Sequence, residues 1–137
     1  MKHYVLDANA LVRYVRGTEG ADKVQSILLQ SERGLANIRM SVVNLGEAYY
    51  ILMRHLGDAV AGRAVSTMGN IISFVPVELE LAIEAAKIKE RFKIGYADSF
   101  AAALAIRGSC TLVSADPAFE KLGKSIKLLK LPRHVEN

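Results

Sequence analysis

Short apolar runs alternate along this chain with segments of helical hydrophobic period, and this alternation is the strongest constraint on its fold. Five of the runs have the length of strands, and a helical segment separates each run from the next. Strand–helix–strand units of this kind build a sheet whose strands run mainly parallel, with helices covering its faces. The expected fold class is therefore α/β, with a mainly parallel central sheet of about five strands flanked by helices.

The predicted elements follow one another without a linker, a repeat or a low-complexity segment. The predicted strands cover residues 3–7, 37–42, 71–77, 110–113 and 126–131. The predicted helices cover residues 9–16, 20–33, 42–55, 58–70, 78–92, 97–107 and 117–122. The helix over 97–107 is apolar on nearly every side, which is typical of a buried helix. Lys127 and Lys130 indicate that the last strand lies at a sheet edge, where charge discourages pairing with another chain.

Length and composition predict one domain over residues 1–137, with a loose tail at residues 132–137. The chain has 137 residues and a hydrophobic fraction of 51%, so it can build a substantial core. No apolar run reaches the roughly 18 residues of a membrane span, and the N-terminus lacks the apolar region of a signal peptide. We therefore expect a cytoplasmic protein with no membrane partner. The formal net charge of +4 is a weak indication of a polyanionic partner.

The cysteine and the histidines do not form a recognisable metal or catalytic set. Cys110 is the only cysteine and sits in an apolar run, as a small buried residue would. His3, His55 and His134 show no spacing typical of metal ligands, so we interpret them as surface or peripheral residues. A disulfide framework and a cysteine-based zinc site are both disfavoured.

Four acidic residues fall where a parallel sheet can bring them together. Asp7 ends the first predicted strand and Asp116 follows the fourth, and we expect these two strands to be adjacent. Asp98 begins the helix that leads into the fourth strand, and Glu47 lies in the largely apolar segment 42–53. Ligands of open α/β sheets bind at the carboxyl ends of the strands. The four acids are therefore candidates for one pocket.

Each acid also has a structural interpretation that the sequence leaves open. Asp7 can cap the following helix, and Asp98 is favoured at a helix start by the macrodipole. Asp116 precedes a proline, a common helix-start signature, and Glu47 can complete a capping box that begins at Asn44. Glu47 and Asp98 fit these interpretations least well. Glu47 has no Lys or Arg three or four residues away, and Asp98 opens the most apolar helix of the chain.

A cluster of these four carboxylates predicts a metal site. Carboxylates within about 5 Å of one another repel by some kcal/mol per pair at an effective dielectric near 20. They stay together when they share protons or bind a cation. Ligation by oxygen alone favours Mg²⁺ or Mn²⁺, and a hard divalent ion with open positions suits phosphoryl chemistry. The sequence contains no P-loop, dinucleotide-binding fingerprint, nucleophile elbow or convincing Cys–His pair.

Four segments with acidic residues follow one another along the chain: residues 5–11 (VLDANAL), 41–47 (SVVNLGE), 96–105 (YADSFAAALA) and 112–119 (LVSADPAF). In this order they resemble the PIN-domain ribonucleases, and most closely the VapC-type toxins of prokaryotic toxin–antitoxin pairs. No single segment is specific, but the four together span most of the chain. The resemblance implies a sheet of parallel strands sandwiched by helices and an Mg²⁺- or Mn²⁺-dependent endoribonuclease.

The resemblance also implies roles for particular residues and partners. Asp7, Glu47 and Asp98 match the acidic triad of the family, and Asp116 matches its fourth, more variable acid. Asn9 and Ser114 match polar positions that support the acids, although the family often has Ser or Thr at the position of Asn9. Proteins of the VapC type usually act as homodimers and are held inactive by a small VapB-type antitoxin.

The expected reaction is hydrolysis of an RNA phosphodiester by metal-activated water. Asp7, Glu47 and Asp98 would hold the ion, and Asp116 would hold a second ion or orient the nucleophile. The candidate phosphate contacts, chosen by charge and by nearness to the predicted rim, are Arg13, Arg16, Arg91 and Lys93. For any one of these cations taken alone, a solvated helix face is the better explanation.

Three other functions compete with this interpretation. The first is a different metal-dependent phosphohydrolase or a DNA nuclease on a similar sheet. The second is a non-catalytic RNA-binding or scaffold module that retains the acids for structure. The third is a receiver-like signalling domain, which is disfavoured because the first strand does not end on two adjacent acids.

Overall fold

The computed structural model of the protein describes residues 1–133, and the end of the predicted tail, residues 134–137, lies outside them. The strands are β1 (Lys2–Leu6), β2 (Ala36–Ser41), β3 (Ser73–Val75), β4 (Thr111–Ser114) and β5 (Lys127–Lys130). The α-helices are α1 (Ala8–Arg16), α2 (Ala21–Glu32), α3 (Val42–Leu56), α4 (Asp58–Met68), α5 (Leu79–Phe92) and α6 (Tyr96–Gly108). A 3₁₀ segment, Pro117–Ser125, is broken at Gly123 and precedes β5.

The five strands form one parallel sheet in the order β3-β2-β1-β4-β5. The predicted α/β class and the parallel five-stranded sheet are therefore confirmed. The first strand lies at the centre, and the chain moves outward from it first on one side and then on the other. In such a sheet the crossover helices cover both faces, and the carboxyl ends of neighbouring strands open side by side.

Hydrophobic packing on the two faces explains the helix positions. Leu6 and Ile38 belong to a core with the helices of one face, whereas Val5 and Leu112 pack with α6 and the 3₁₀ segment on the other. Neighbours along β1 thus point to opposite faces, as the period of a strand requires. Four of the five alanines of α6 are buried, as predicted for this helix, and their small side chains allow the helix to lie close to the sheet. No helix within residues 1–133 has both the length and the apolarity needed to cross a membrane.

Several predicted boundaries differ from the observed ones for identifiable reasons. Strand β1 ends at Leu6, because Asp7 turns out of the strand to cap α1. The third strand covers only three of its seven predicted residues, since the Ile71 and Ile72 amides donate to the Met68 carbonyl and extend the turn after α4. The predicted helix over 117–122 is a 3₁₀ segment that continues to residue 125.

Candidate metal centre at the carboxyl edge of the sheet

The pairing of β1 with β4 brings Asp7 and Ser114 to the same edge. The register pairs Leu6 with Val113, and the Asp7 amide donates to the Val113 carbonyl across 3.4 Å. The next residue of each strand therefore meets its counterpart at the carboxyl end. The Ser114 hydroxyl donates to Asp7 Oδ2 in a short hydrogen bond, and Ser114 Oγ accepts from the Asp116 amide at 2.9 Å. Ser114 thus connects Asp7 with the segment that carries Asp116.

Asp7 caps a helix and is also part of an acidic cluster. Its Oδ1 accepts from the Ala10 amide at 2.8 Å, as its structural interpretation predicts, and the residue is only 3% exposed. Burial raises the pKa of the Asp7 carboxyl to about 6. The hydrogen bonds from Ser114 and Ala10 oppose this shift, whereas the nearby charges of Asp116 and Glu47 add to it. Ionisation of a buried carboxylate that two other acids repel lowers the stability of the fold. Helix capping alone does not explain why Asp7 is placed there.

Asp98 lies in the first turn of α6 and meets the other three acids. Burial is the largest cause and the charges of Asp116, Asp7 and Glu47 add to it, and together they raise the pKa of its carboxyl to about 7. The preceding turn leaves room for the carboxylate: a Cβ atom at Gly95 would lie 3.3 Å from Asp98 Oδ2. The Ser99 hydroxyl donates to the Gly95 carbonyl at 2.9 Å and holds this turn against the helix.

Glu47 reaches the cluster from α3. Ser41 caps this helix, with its Oγ accepting from the Val43 amide at 3.2 Å, so α3 begins before Asn44 and the alternative capping box does not form. Partial burial and the charge of Asp116 raise the pKa of Glu47. One turn before Glu47, the fully buried Asn44 donates from Nδ2 to the Ala97 carbonyl at 2.9 Å. That bond fixes α3 against the start of α6, next to Asp98.

Within residues 1–133, no protein cation pairs with an acid of the cluster. None of the ion pairs formed within residues 1–133 involves Asp7, Glu47, Asp98 or Asp116. With the side chains as they are placed, no three His, Cys, Asp or Glu residues of this part of the chain are arranged to hold an ion. Binding of one ion by three of these acids therefore requires rotation of side chains, and Glu47 and Asp98 are partly exposed.

The chemistry of the donors fits a hard divalent cation. His3 and Cys110 lie toward the amino ends of β1 and β4, away from the acids, and His55 lies in the last turn of α3. The acids therefore offer oxygen ligands alone, which Mg²⁺ and Mn²⁺ prefer. Asn9, two residues after Asp7, has a buried Oδ1 with no hydrogen-bond partner in the structure. The Oδ1 atoms of Asn37 and Asn44 are also buried without a partner in this part of the chain, so the fit to a cation rests on the four carboxylates.

The four predicted phosphate contacts do not share one location. Arg13 is only 8% exposed, and its Nη1 donates to the carbonyls of Glu19 and Pro132, so the expectation of a free phosphate contact is wrong for this residue. Arg16 is exposed at the far end of α1 from Asp7, about 13 Å along a helix of nine residues. Arg91 stacks on the Phe92 ring, with its guanidinium carbon 4.9 Å from the ring centre. Lys93 pairs with Glu90 at 2.9 Å, in the turn that leads to α6.

The cavities of the molecule lie mostly away from the acids. One of about 560 Å³ lies between α1, α2 and α4, and one of about 400 Å³ lies between α5 and α6. Asp116, one of the four acids, borders a cavity of about 80 Å³ together with Ser114. An open edge rather than a deep pocket suits a polymer that must pass across the site.

The fold and this site define a class: a parallel α/β domain with clustered carboxylates at the carboxyl edge of its central strands. The sequence profile of the PIN domain matches residues 4–125. The chain belongs to the PIN domain family.

Solved structures with the same fold are distant in sequence. A chain of the crystal structure of VapBC2 from Rickettsia felis bound to a DNA fragment from its promoter is 16% identical, with a TM-score of 0.76 over 94% of this chain and 98% of that chain. DNA-bound VapBC from Salmonella typhimurium is 17% identical, with a TM-score of 0.75 over 95% of this chain and 98% of that chain. VapC20 of Mycobacterium tuberculosis, a toxin that cleaves the sarcin–ricin loop, is 14% identical, with a TM-score of 0.66 over 80% of this chain and 86% of that chain. No curated protein matches the sequence significantly.

Proposed function

We propose that this protein is a Mg²⁺- or Mn²⁺-dependent endoribonuclease and the VapC-type toxin of a toxin–antitoxin pair. The observation that carries the proposal is the meeting of Asp7, Glu47, Asp98 and Asp116 at one sheet edge, where none of them forms an ion pair with a cation of residues 1–133. Acids that repel one another to this extent are retained when a cation or a shared proton stabilises them. The chain belongs to the PIN domain family, and solved structures with the same fold include VapBC proteins. Both findings support the nuclease interpretation.

The proposed site assigns a role to each residue. Asp7, Glu47 and Asp98 would hold the ion directly or through water, and Asp116 would complete the site or orient the attacking water. The bound ion would polarise a phosphate oxygen and lower the pKa of that water. Ser114 fixes the orientation of Asp7 by its hydrogen bond, and Asn9 offers an oxygen to the same surroundings. Ion binding requires Asp98 and Asp7 to be ionised. Because the pKa of each carboxyl is raised, protons compete with the ion for these two residues.

The partners proposed are an RNA substrate, a small VapB-type antitoxin and a second copy of the chain. The antitoxin is proposed because VapBC-1 from nontypeable Haemophilus influenzae shares this fold, and the RNA because the sarcin–ricin loop-cleaving VapC20 does. The second copy is proposed on the resemblance to VapC-type proteins alone. Two other functions compete with this proposal. A non-catalytic RNA-binding or scaffold module predicts no cleavage, and another metal-dependent phosphohydrolase predicts cleavage of DNA or of small phosphoesters.

Cleavage of a mixed panel of structured RNAs by the purified protein tests the proposal. The reactions contain Mn²⁺, Mg²⁺ or EDTA, and a matched DNA panel runs beside them. Asp98→Asn should abolish cleavage, whereas Asp22→Asn, a change to an exposed aspartate in the first turn of α2, should not. Discrete metal-dependent RNA fragments that disappear with Asp98→Asn support the nuclease. Cleavage of DNA or of small phosphoesters instead supports another phosphohydrolase, and no cleavage by folded, antitoxin-free protein favours the binding module.

A further inference from the structure

Two basic residues, Lys130 at the end of β5 and Arg133 three residues later, lie beside Asp116 of the acidic cluster. Strand β5 pairs with β4 in a register that places Lys130 opposite Ser114, and the Leu131 amide donates to the Ser114 carbonyl at 2.9 Å. Lys130 is therefore level with the serine that binds Asp7. Lys130 and Arg133 also line the cavity of about 80 Å³ that Asp116 and Ser114 border.

The segment that carries these cations is held in place. Arg13, buried beneath it, donates to the Pro132 carbonyl, and a Cβ atom at Gly20 would lie within 3.2 Å of Leu131 and 3.3 Å of Pro132. The chain from β5 to Pro132 thus packs closely against the start of α2. The position of the Arg133 backbone next to the carboxyl edge is therefore fixed by the fold.

Lys130 and Arg133 both pair with Glu120. Lys130 Nζ lies 2.6 Å from Glu120 Oε1, and Arg133 Nη2 lies 4.0 Å from Glu120 Oε2. Neither forms an ion pair with Asp7, Glu47, Asp98 or Asp116 in the part of the chain that the structure describes. One carboxylate faces two cations, so the group carries a net positive charge. The Lys130 side chain is 64% exposed and that of Arg133 69%, so both can reach a ligand.

We propose that Lys130 and Arg133, held by Glu120 beside Asp116, form a subsite for an RNA phosphate next to the one that is cleaved. This inference rests on the proposed function. A metal ion would neutralise the phosphate at the acids, but the neighbouring phosphate of the same strand would meet those acids uncompensated. A pair of flexible cations at the adjacent rim supplies the missing charge, and such phosphate contacts position a nucleic acid without reading its sequence.

The chain provides a control on the same strand. Lys127 is exposed, as Lys130 is, but it pairs with Thr111 at the amino end of β4, about 10 Å along the strand from Lys130. It lines a surface with the first residues of the chain instead. A phosphate subsite at the acids predicts that Lys127 contributes little, whereas an effect of net charge alone predicts that both lysines contribute equally.

The test is RNA binding measured by fluorescence anisotropy with a labelled, mixed-sequence, single-stranded 20-nucleotide RNA. The full chain carries Asp98→Asn so that the RNA survives with Mg²⁺ present. Lys130→Gln and Arg133→Gln should each raise the Kd about threefold to tenfold and lower the slope of log affinity against log salt by about 0.7, the value for one lost phosphate contact. Lys127→Gln should leave both quantities unchanged.

Glu120→Gln separates binding from stability. It breaks the same ion pair as Lys130→Gln, so a merely structural pair predicts similar losses of melting temperature and similar effects on RNA for both variants. A phosphate subsite predicts opposite effects: Glu120→Gln removes the competing carboxylate and should lower the Kd for RNA. Equal Kd values for Lys130→Gln, Arg133→Gln and Lys127→Gln would overturn the subsite.

The outcomes also distinguish this inference from the nuclease proposal. If the protein cleaves RNA in an Asp98-dependent manner while Lys130 and Arg133 do not affect the Kd, the nuclease stands and the subsite falls. If no RNA is cleaved but the Kd depends on the pair with the expected salt slope, Lys130 and Arg133 bind an RNA phosphate in a non-catalytic module, and the nuclease falls together with the place of this phosphate beside a cleaved one.

Discussion

Replacing Asp7 by asparagine should stabilise the metal-free protein near neutral pH. The folded protein raises the pKa of Asp7 from 3.8 to about 6, chiefly by burial. At about 1.4 kcal/mol per pKa unit, ionisation of this buried group costs roughly 3 kcal/mol of folding free energy. Asparagine caps a helix as well as aspartate, so the bond from Ala10 survives, but the bond from Ser114 must change direction at a cost of about 1 kcal/mol. The expected net gain is about 1 to 2 kcal/mol.

The pH dependence identifies the origin of that gain. Because the folded pKa is raised, the favourable contribution of the protonated form is fully present below pH 3.8 and is lost as the pH rises through about 6. The advantage of Asp7→Asn should therefore grow by about 1.4 kcal/mol between pH 5.0 and pH 7.5. Urea unfolding with EDTA at the two pH values measures it, with Asp22→Asn as an exposed control. A variant that is less stable than the wild type at pH 7.5, or whose advantage does not grow with pH, would refute the reasoning.

Two further predictions concern the metal and the helix contact that supports it. Millimolar Mn²⁺ or Mg²⁺ should stabilise the wild type by about 2.7 kcal/mol at a hundredfold excess over the Kd, and the rise in melting temperature should shrink from pH 7.5 to 5.5 as protons compete at Asp98 and Asp7. Equal shifts at both pH values would contradict it. Asn44→Ala should lower stability by about 1 to 2 kcal/mol, because it removes the bond to Ala97, and should also weaken Mn²⁺ binding in calorimetric titration. Lost stability with unchanged Mn²⁺ affinity would give Asn44 a structural role alone.

The elements of this fold could be predicted because their signals are local. Apolar runs of strand length and helical periods depend on neighbouring residues, and ten of the elements need only boundary changes of a few residues. The third strand was predicted less well than those ten elements, because the backbone amides of its apolar residues 71 and 72 form the turn after α4. Hydrophobicity alone does not separate a strand from a buried turn of the same composition.

Part of the candidate site could be predicted from the sequence, and part of it depends on contacts between distant residues. Asp7, Asp98 and Asp116 mark a strand end, a helix start and a second strand end, and a parallel sheet brings such points to one edge. Their meeting follows from the sequence pattern, whereas their role in catalysis stays a prediction. Arg13 was misjudged because its partners are the carbonyls of Glu19 and Pro132, the second of them 119 residues away.

The sequence by itself determined the class of the domain, the order of its strands and helices along the chain, and the three aspartates at their ends. Only the tertiary structure decided the spatial order of the strands, the Asn44 contact between α3 and α6, and the place of Lys130 and Arg133 beside Asp116. The physical reason is the range of the interactions. Periodicity and capping act over a few residues, but register, burial and the repulsion between carboxylates join residues far apart in the chain, and they acquire values only when the sheet has formed.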